Sequence, residues 1–115
     1  MRNAAFALLA LGCGAIDDDA DYAEARATAE CNRIERCSLG FFESEYSSDE
    51  DCVDERKDAI AEDDAALDDI GCTYVPAEAG ACVRRINGLS CVEYYEGRSG
   101  TACDLVWDCT DVEGF

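Results

Sequence analysis

The sequence predicts a small all-α domain: a disulfide-stapled bundle of three to four helices behind an N-terminal signal segment. Three observations predict it. Nine cysteines in 115 residues approach the density of a disulfide scaffold and fit an oxidising compartment, because the cytosol keeps thiols reduced. Three stretches carry small or apolar residues at helical spacing. No stretch shows sustained apolar alternation between hairpin turns, so strands are not expected.

The first element is "MRNAAFALLALGCG". One Arg, an apolar run from Ala4 to Leu11, and a small-residue exit are the parts of a secretory signal. The run is too short to span a bilayer as a helix. Cys13 at the exit resembles the lipobox cysteine, whose thiol is acylated and becomes the mature N-terminus. That pattern prefers Leu three positions before the cysteine; here Ala10 stands there and Leu11 follows. Removing Cys13 leaves eight cysteines, an even number suited to four bridges. The alternative is ordinary cleavage near Gly12 with Cys13 unpaired. The segment is short for a signal, which leaves room for a start codon upstream. Residues 1–12 thus read as a lipoprotein-type signal, 13–19 as an acidic tether, and 20–112 as the cysteine-rich helical domain.

"ADYAEARATAECNRIERCS" opens that domain as a helix, with Ala20, Ala23, Ala27, Cys31 and Ile34 on one face. "LGFFESEYSS" is a connector whose Phe41, Phe42 and Tyr46 serve as core plugs. Ser48 caps a second helix, with Asp49, Glu50 and Asp51 in its first turn; Ser47 with Glu50 is the alternative capping-box register. This helix runs to about Asp69. Cys52, Val53, Ala59, Ile60, Ala66, Leu67 and Ile70 form its narrow inner stripe, and Gly71 stops it. "CTYVP" is extended, since Val75 precedes Pro76. A third helix, Ala77 to Leu89, turns Ala79, Cys82, Ile86 and Leu89 inward. "CVEYYEGRSG" is a short helical piece and a Gly-flanked turn, "TACDLVWDC" a last short helix, and "TDVEGF" a frayed tail.

The core is thin. From Cys13 onward, Leu, Ile, Val and Phe make up 18 of 103 residues, below the ~20% at which a highly charged chain reads as disordered. Basic residues number 9 against 27 acidic ones, a net charge of −18, and this repulsion opposes compaction. The bridges supply what the core lacks: closing a loop of about 15 residues contributes roughly 3 kcal/mol.

Helix geometry restricts the pairings. Cys31 and Cys37 lie six residues apart, about 9 Å along a helix, while a bridge needs Cα atoms within about 7 Å. Each must reach another element, and so must Cys82 and Cys91. Cys37 with Cys52 would close an antiparallel hairpin, and Cys91 with Cys103 would close "VEYYEGRSGTA". Cys31, Cys72, Cys82 and Cys109 remain and allow three pairings, of which Cys31–Cys72 with Cys82–Cys109 is preferred.

The charge excludes a phosphate backbone as partner, so no nucleic acid is expected. Contact with a membrane is expected only through the lipid anchor. The chain has no His, which removes the commonest general base, the serine triad and the Cys–His dyad. "GRSGT" fails the nucleophile elbow at Thr101, and no glycine loop with Lys suggests a nucleotide. Zinc is disfavoured without His or a CxxC pair. "DDDADY" begins like a calcium loop but places Tyr22 where Gly is needed and Thr28 where Glu is needed. Weak, nonspecific binding of divalent cations is the most the acids support, and no cofactor is expected.

Two stretches carry a resemblance. "AECNRIERCSLGFFESEYSSDEDC" and "ACVRRINGLSCVEYYEGRSGTACD" resemble the two halves of small cysteine-rich secreted proteins and lipoproteins of myxobacteria and their relatives. In those proteins two cysteines six apart precede an aromatic connector, a Tyr and a helix-opening Cys; the second half repeats the spacing of Cys82, Cys91 and Cys103. Such proteins often carry a further Cys about nine residues into the second helix. Here that position is Ala61 and Cys72 lies beyond it, which leaves the partner of Cys31 open. The resemblance implies location and fold, and no particular activity.

The functional expectation is a non-catalytic, acidic envelope lipoprotein at the outer membrane or cell surface, presenting a helical module to an unknown protein partner. The alternatives are a secreted disulfide-rich inhibitor or effector and, less favoured, a small carboxylate-dependent hydrolase. A carboxylate pair can run glycoside hydrolysis, but that needs a cleft that a domain this small hardly forms.

Overall fold

The structure, a computed structural model, describes residues 14–101 and 103–114, with 99 and 100 as backbone only. The signal segment and Cys13 lie outside the described residues. The domain is a disulfide-stapled helical bundle, as expected.

The first helix, α1 (Asp19–Cys37), starts where the Asp18 carboxylate accepts the Ala20 N–H at 2.7 Å, an N-cap bond that satisfies an orphan donor. Ala23, Ala27, Cys31 and Ile34 are buried as their spacing requires, while Ala20 is exposed. The connector is itself helical: α2 (Leu39–Glu45) follows directly. Adjacent helical residues point about 100° apart, and on this short helix only one of the two neighbouring Phe side chains faces inward. Phe42 and Tyr46 are buried, but Phe41 is 53% exposed and plugs nothing.

Ser48 caps α3 (Asp49–Asp69) by accepting the Asp51 N–H. Cys52 and Ile60 are buried, yet the expected stripe fades beyond them. Ala59 and Ala66 are exposed, Ile70 is 48% exposed, and the buried residue of that half is Asp64. Gly71 ends the helix at φ +100°, a conformation that favours glycine.

The C-terminal half departs most from expectation. The stretch after Gly71 forms β1 (Thr73–Tyr74), which pairs antiparallel with β2 (Trp107–Asp108). The expected last helix is therefore turns and a strand, and the assumption of no strands fails for this two-residue ribbon. Three of its four residues, Thr73, Tyr74 and Trp107, suit a half-buried pleat and Asp108 does not, but two residues per strand are too few to show alternation. Between the strands lie α4 (Pro76–Asn87), α5 (Cys91–Tyr95) and α6 (Arg98–Thr101), the last where a turn was expected. Along α4, Ala79, Cys82 and Ile86 are fully buried, and Leu89 just beyond it is buried too. Ser90 and Glu93 form a capping box at the start of α5.

The stretch after Cys13 is not a free tether. The Ile16 N–H donates to the Pro76 carbonyl at 3.1 Å, and the Ile16 carbonyl accepts the Tyr74 hydroxyl at 2.6 Å. The Ile16 side chain packs on the core. The Gly14 carbonyl rests on α4, 1.7 Å from where a Cβ at Gly80 would stand. Only glycine at position 80 allows this approach.

All eight cysteines after Cys13 are bridged: Cys31–Cys52, Cys37–Cys91, Cys72–Cys109 and Cys82–Cys103. None of the four expected pairings is present. Helix α2 lengthens the turn after Cys37, so the start of α3 returns beside Cys31 instead, with Cα atoms 6.1 Å apart. Cys37 is left to meet Cys91 at the start of α5. Extending the ribbon register one step past Thr73 and Asp108 brings Cys72 opposite Cys109, at a Cα separation of 4.3 Å. This is close to a non-hydrogen-bonded cross-strand pair. Cys103 then closes on Cys82 within the main core.

Buried apolar side chains form two clusters. One gathers Tyr22, Ala27, Ile60, Cys82, Ile86 and Val106 among others. The other gathers Cys31, Ile34, Phe42, Tyr46 and Cys52. Helix α1 runs through both and is the spine of the fold. Among the described residues no helix is long and apolar enough to cross a membrane.

Candidate functional site

Two polar arrangements interrupt the core. In the first, Glu30 on α1 is buried to 6% exposure and receives two guanidinium groups. Arg26, one turn earlier, donates from Nε to Oε2 at 2.7 Å; Arg56 on α3 donates from Nε to Oε1 at 2.9 Å. Arg26 also donates to the Tyr22 hydroxyl, which lies 3.6 Å from the Cys82 sulfur. A recess of about 270 Å³ opens beside this group. Both Glu30 oxygens accept from arginines, so the arrangement clamps α1 to α3.

The second arrangement centres on Trp107. The indole N–H donates to Asp64 Oδ1 at 3.0 Å, and the ring packs against Tyr74 at a centroid distance of 5.4 Å, which packs in turn on Tyr22. Asp64 is buried, and its Oδ2 has no hydrogen-bond partner. Burial pushes its carboxyl up to about 6; the Trp107 bond and Arg26 on α1 oppose this, while Asp19 on α1 and the neighbouring Asp63 add to it.

The raised value gives a signed prediction. The folded state holds the Asp64 proton more tightly than the unfolded chain does. Its contribution to stability is therefore fully present below about pH 4 and is lost as pH rises through about 6. Between pH 7.5 and pH 5 the gain is roughly 1 kcal/mol. Asp64→Asn should remove this part of the pH dependence. Thermal melts of both proteins at the two pH values check it; parallel shifts would show that Asp64 contributes nothing.

Trp107 also floors a surface cleft of about 550 Å³, lined by Val75, Glu78, Asp104, Leu105, Asp108 and neighbours. Val75 and Trp107 are apolar and half-buried, whereas Leu105 is 63% exposed. Three carboxylates stand in the lining, and no lysine or arginine among the described residues does. The Thr110 backbone N–H and then its hydroxyl, both bonding the Asp108 carboxylate, hold that group below the usual range, so it stays charged. An apolar floor with a fixed charged rim is how a binding cleft is built.

The structure brings the eight paired cysteines together as braces and not as a metal centre. Among the described residues no cluster of three or more His, Cys, Asp or Glu could hold a metal ion. Of the stretch Asp17 to Tyr22 that begins like a calcium loop, Asp18 instead caps α1 and Asp19 and Asp21 stand in its first turn. Sequence reasoning missed Glu30, Asp64 and the Trp107 cleft. The only readable signal was the Arg26/Glu30 spacing of four.

No protein-family model, curated protein or solved structure matches the chain. The four bridges place the domain in an oxidising compartment.

Proposed function

We propose that this chain is a non-catalytic, acidic lipoprotein of the cell envelope that presents a rigid helical module to a protein partner. One observation carries the anchor. All eight later cysteines are used in bridges, so no cysteine of this chain remains to pair with Cys13. A lone thiol directly behind an apolar, small-residue exit suits acylation. The cysteine-spacing resemblance to myxobacterial secreted proteins and lipoproteins points to the same location. Gly14, the residue that follows Cys13, is seated against Gly80 on α4. The Trp107 cleft, held on a bridged frame, supports binding as the module's task.

Metabolic labelling with a fatty-acid probe tests the anchor. The wild type should be tagged and Cys13→Ser should lose at least nine-tenths of the signal. Equal labelling of both would end the lipoprotein reading.

A further inference from the structure

The Trp107 cleft joins an apolar floor to a carboxylate rim, and its lining holds no cation among the described residues. A lysine side chain has the matching form: methylenes for the floor and an ammonium for the rim. A cation over an indole face is attracted by the ring quadrupole. The indole here is fixed in place by Asp64 on its N–H and by Tyr74 beside its ring. Leu105 is also in the lining and 63% exposed, and offers a second apolar contact. A net charge of −18 draws basic partners and speeds their encounter.

From these features we infer that the cleft docks a basic segment of a partner protein, with a lysine side chain lying across Trp107 between Glu78, Asp104 and Asp108. This rests on the reading that the module serves to bind a protein, and it names that partner's chemistry. The open cleft and exposed Leu105 favour a protruding segment over a free amine, because a small amine would leave Leu105 untouched.

Trp107 is the chain's single tryptophan, so its emission reports the cleft directly. The test uses the oxidised full chain carrying Cys13→Ser, which keeps its outcome separate from acylation. The probe is an end-blocked ten-residue peptide of lysine and leucine. The expected result is a saturable change in emission that disappears when the lysines are acetylated. Binding should weaken at least tenfold in Leu105→Ser and in Asp104→Asn with Asp108→Asn. It should stay within twofold in Asp54→Asn with Asp58→Asn, an equal charge change on exposed positions of α3. Leu105, Asp104, Asp108, Asp54 and Asp58 are all exposed, and matching melting curves confirm the fold of each variant. The inference is overturned if emission does not saturate, if both double variants weaken binding equally, or if spermidine saturates the cleft as tightly as the peptide.

Discussion

Full reduction of the four bridges is expected to abolish the cooperative thermal transition at low salt, leaving residual helix and little tertiary signal. The bridges span 21, 54, 37 and 21 residues, and chain entropy assigns each roughly 3–4 kcal/mol. The loops overlap: Cys31–Cys52 interlaces with Cys37–Cys91, and Cys82–Cys103 nests within Cys72–Cys109. The combined effect is therefore smaller than four independent closures, on the order of 10 kcal/mol. Domains of this size have about 5–15 kcal/mol in all, and this one has a thin core and a net charge of −18 to offset. Single-bridge variants should rank by span and position. Cys37→Ala with Cys91→Ala should cost most, since that bridge closes the longest loop and ties α1 to the C-terminal half. Circular dichroism and near-ultraviolet melts of oxidised and reduced protein decide the matter. If reduced protein melts cooperatively near the oxidised midpoint, the side-chain packing alone sustains the fold.

Much of the architecture was legible because helices announce themselves locally. Ser48 with three following acids, the Ala23–Ala27–Cys31–Ile34 face, and the Ala79–Cys82–Ile86–Leu89 face are all signals within one chain segment. The disulfide partners were not legible, because each depends on distances between elements. Helix α2 consumes chain that a simple hairpin would have left slack, and this displaces the partner of Cys52 from Cys37 to Cys31. The Cys72–Cys109 pair follows from a register that two-residue strands are too short to reveal. The candidate site was hidden for the same reason. Trp107 sits in a stretch with no periodicity, and its meaning comes from Asp64, 43 residues earlier. In α3 the inward Asp64 stands between Ile60 and Leu67 on one face, and a carboxylate there gave no sign of burial in the sequence.

Glu30→Leu is expected to destabilise the domain by about 2–4 kcal/mol. The carboxylate is nearly buried, with 8% of its side chain exposed, and it is shared by Arg26 and Arg56. Removing it leaves two guanidiniums facing each other across the α1–α3 contact without their anion. Breaking a buried pair in this way costs about 3–5 kcal/mol. The arginine side chains here are 25% and 35% exposed, so water relieves part of that cost and brings the expected loss down to about 2–4 kcal/mol. Glu30→Gln keeps an acceptor but loses the charge assistance of both bonds, and should fall between Glu30→Leu and the wild type. The decisive variant replaces the whole group: Glu30→Leu with Arg26→Met and Arg56→Met. Well-packed apolar side chains can replace a buried ion group at little cost, so the triple variant should recover most of the stability lost by Glu30→Leu. That recovery would show that the network selects how α1 and α3 seat against each other without adding much net stability. Urea unfolding of the three variants measures this. If the triple variant is as unstable as Glu30→Leu, the ion group itself holds the two helices together, and the clamp contributes energy that the thin core does not supply.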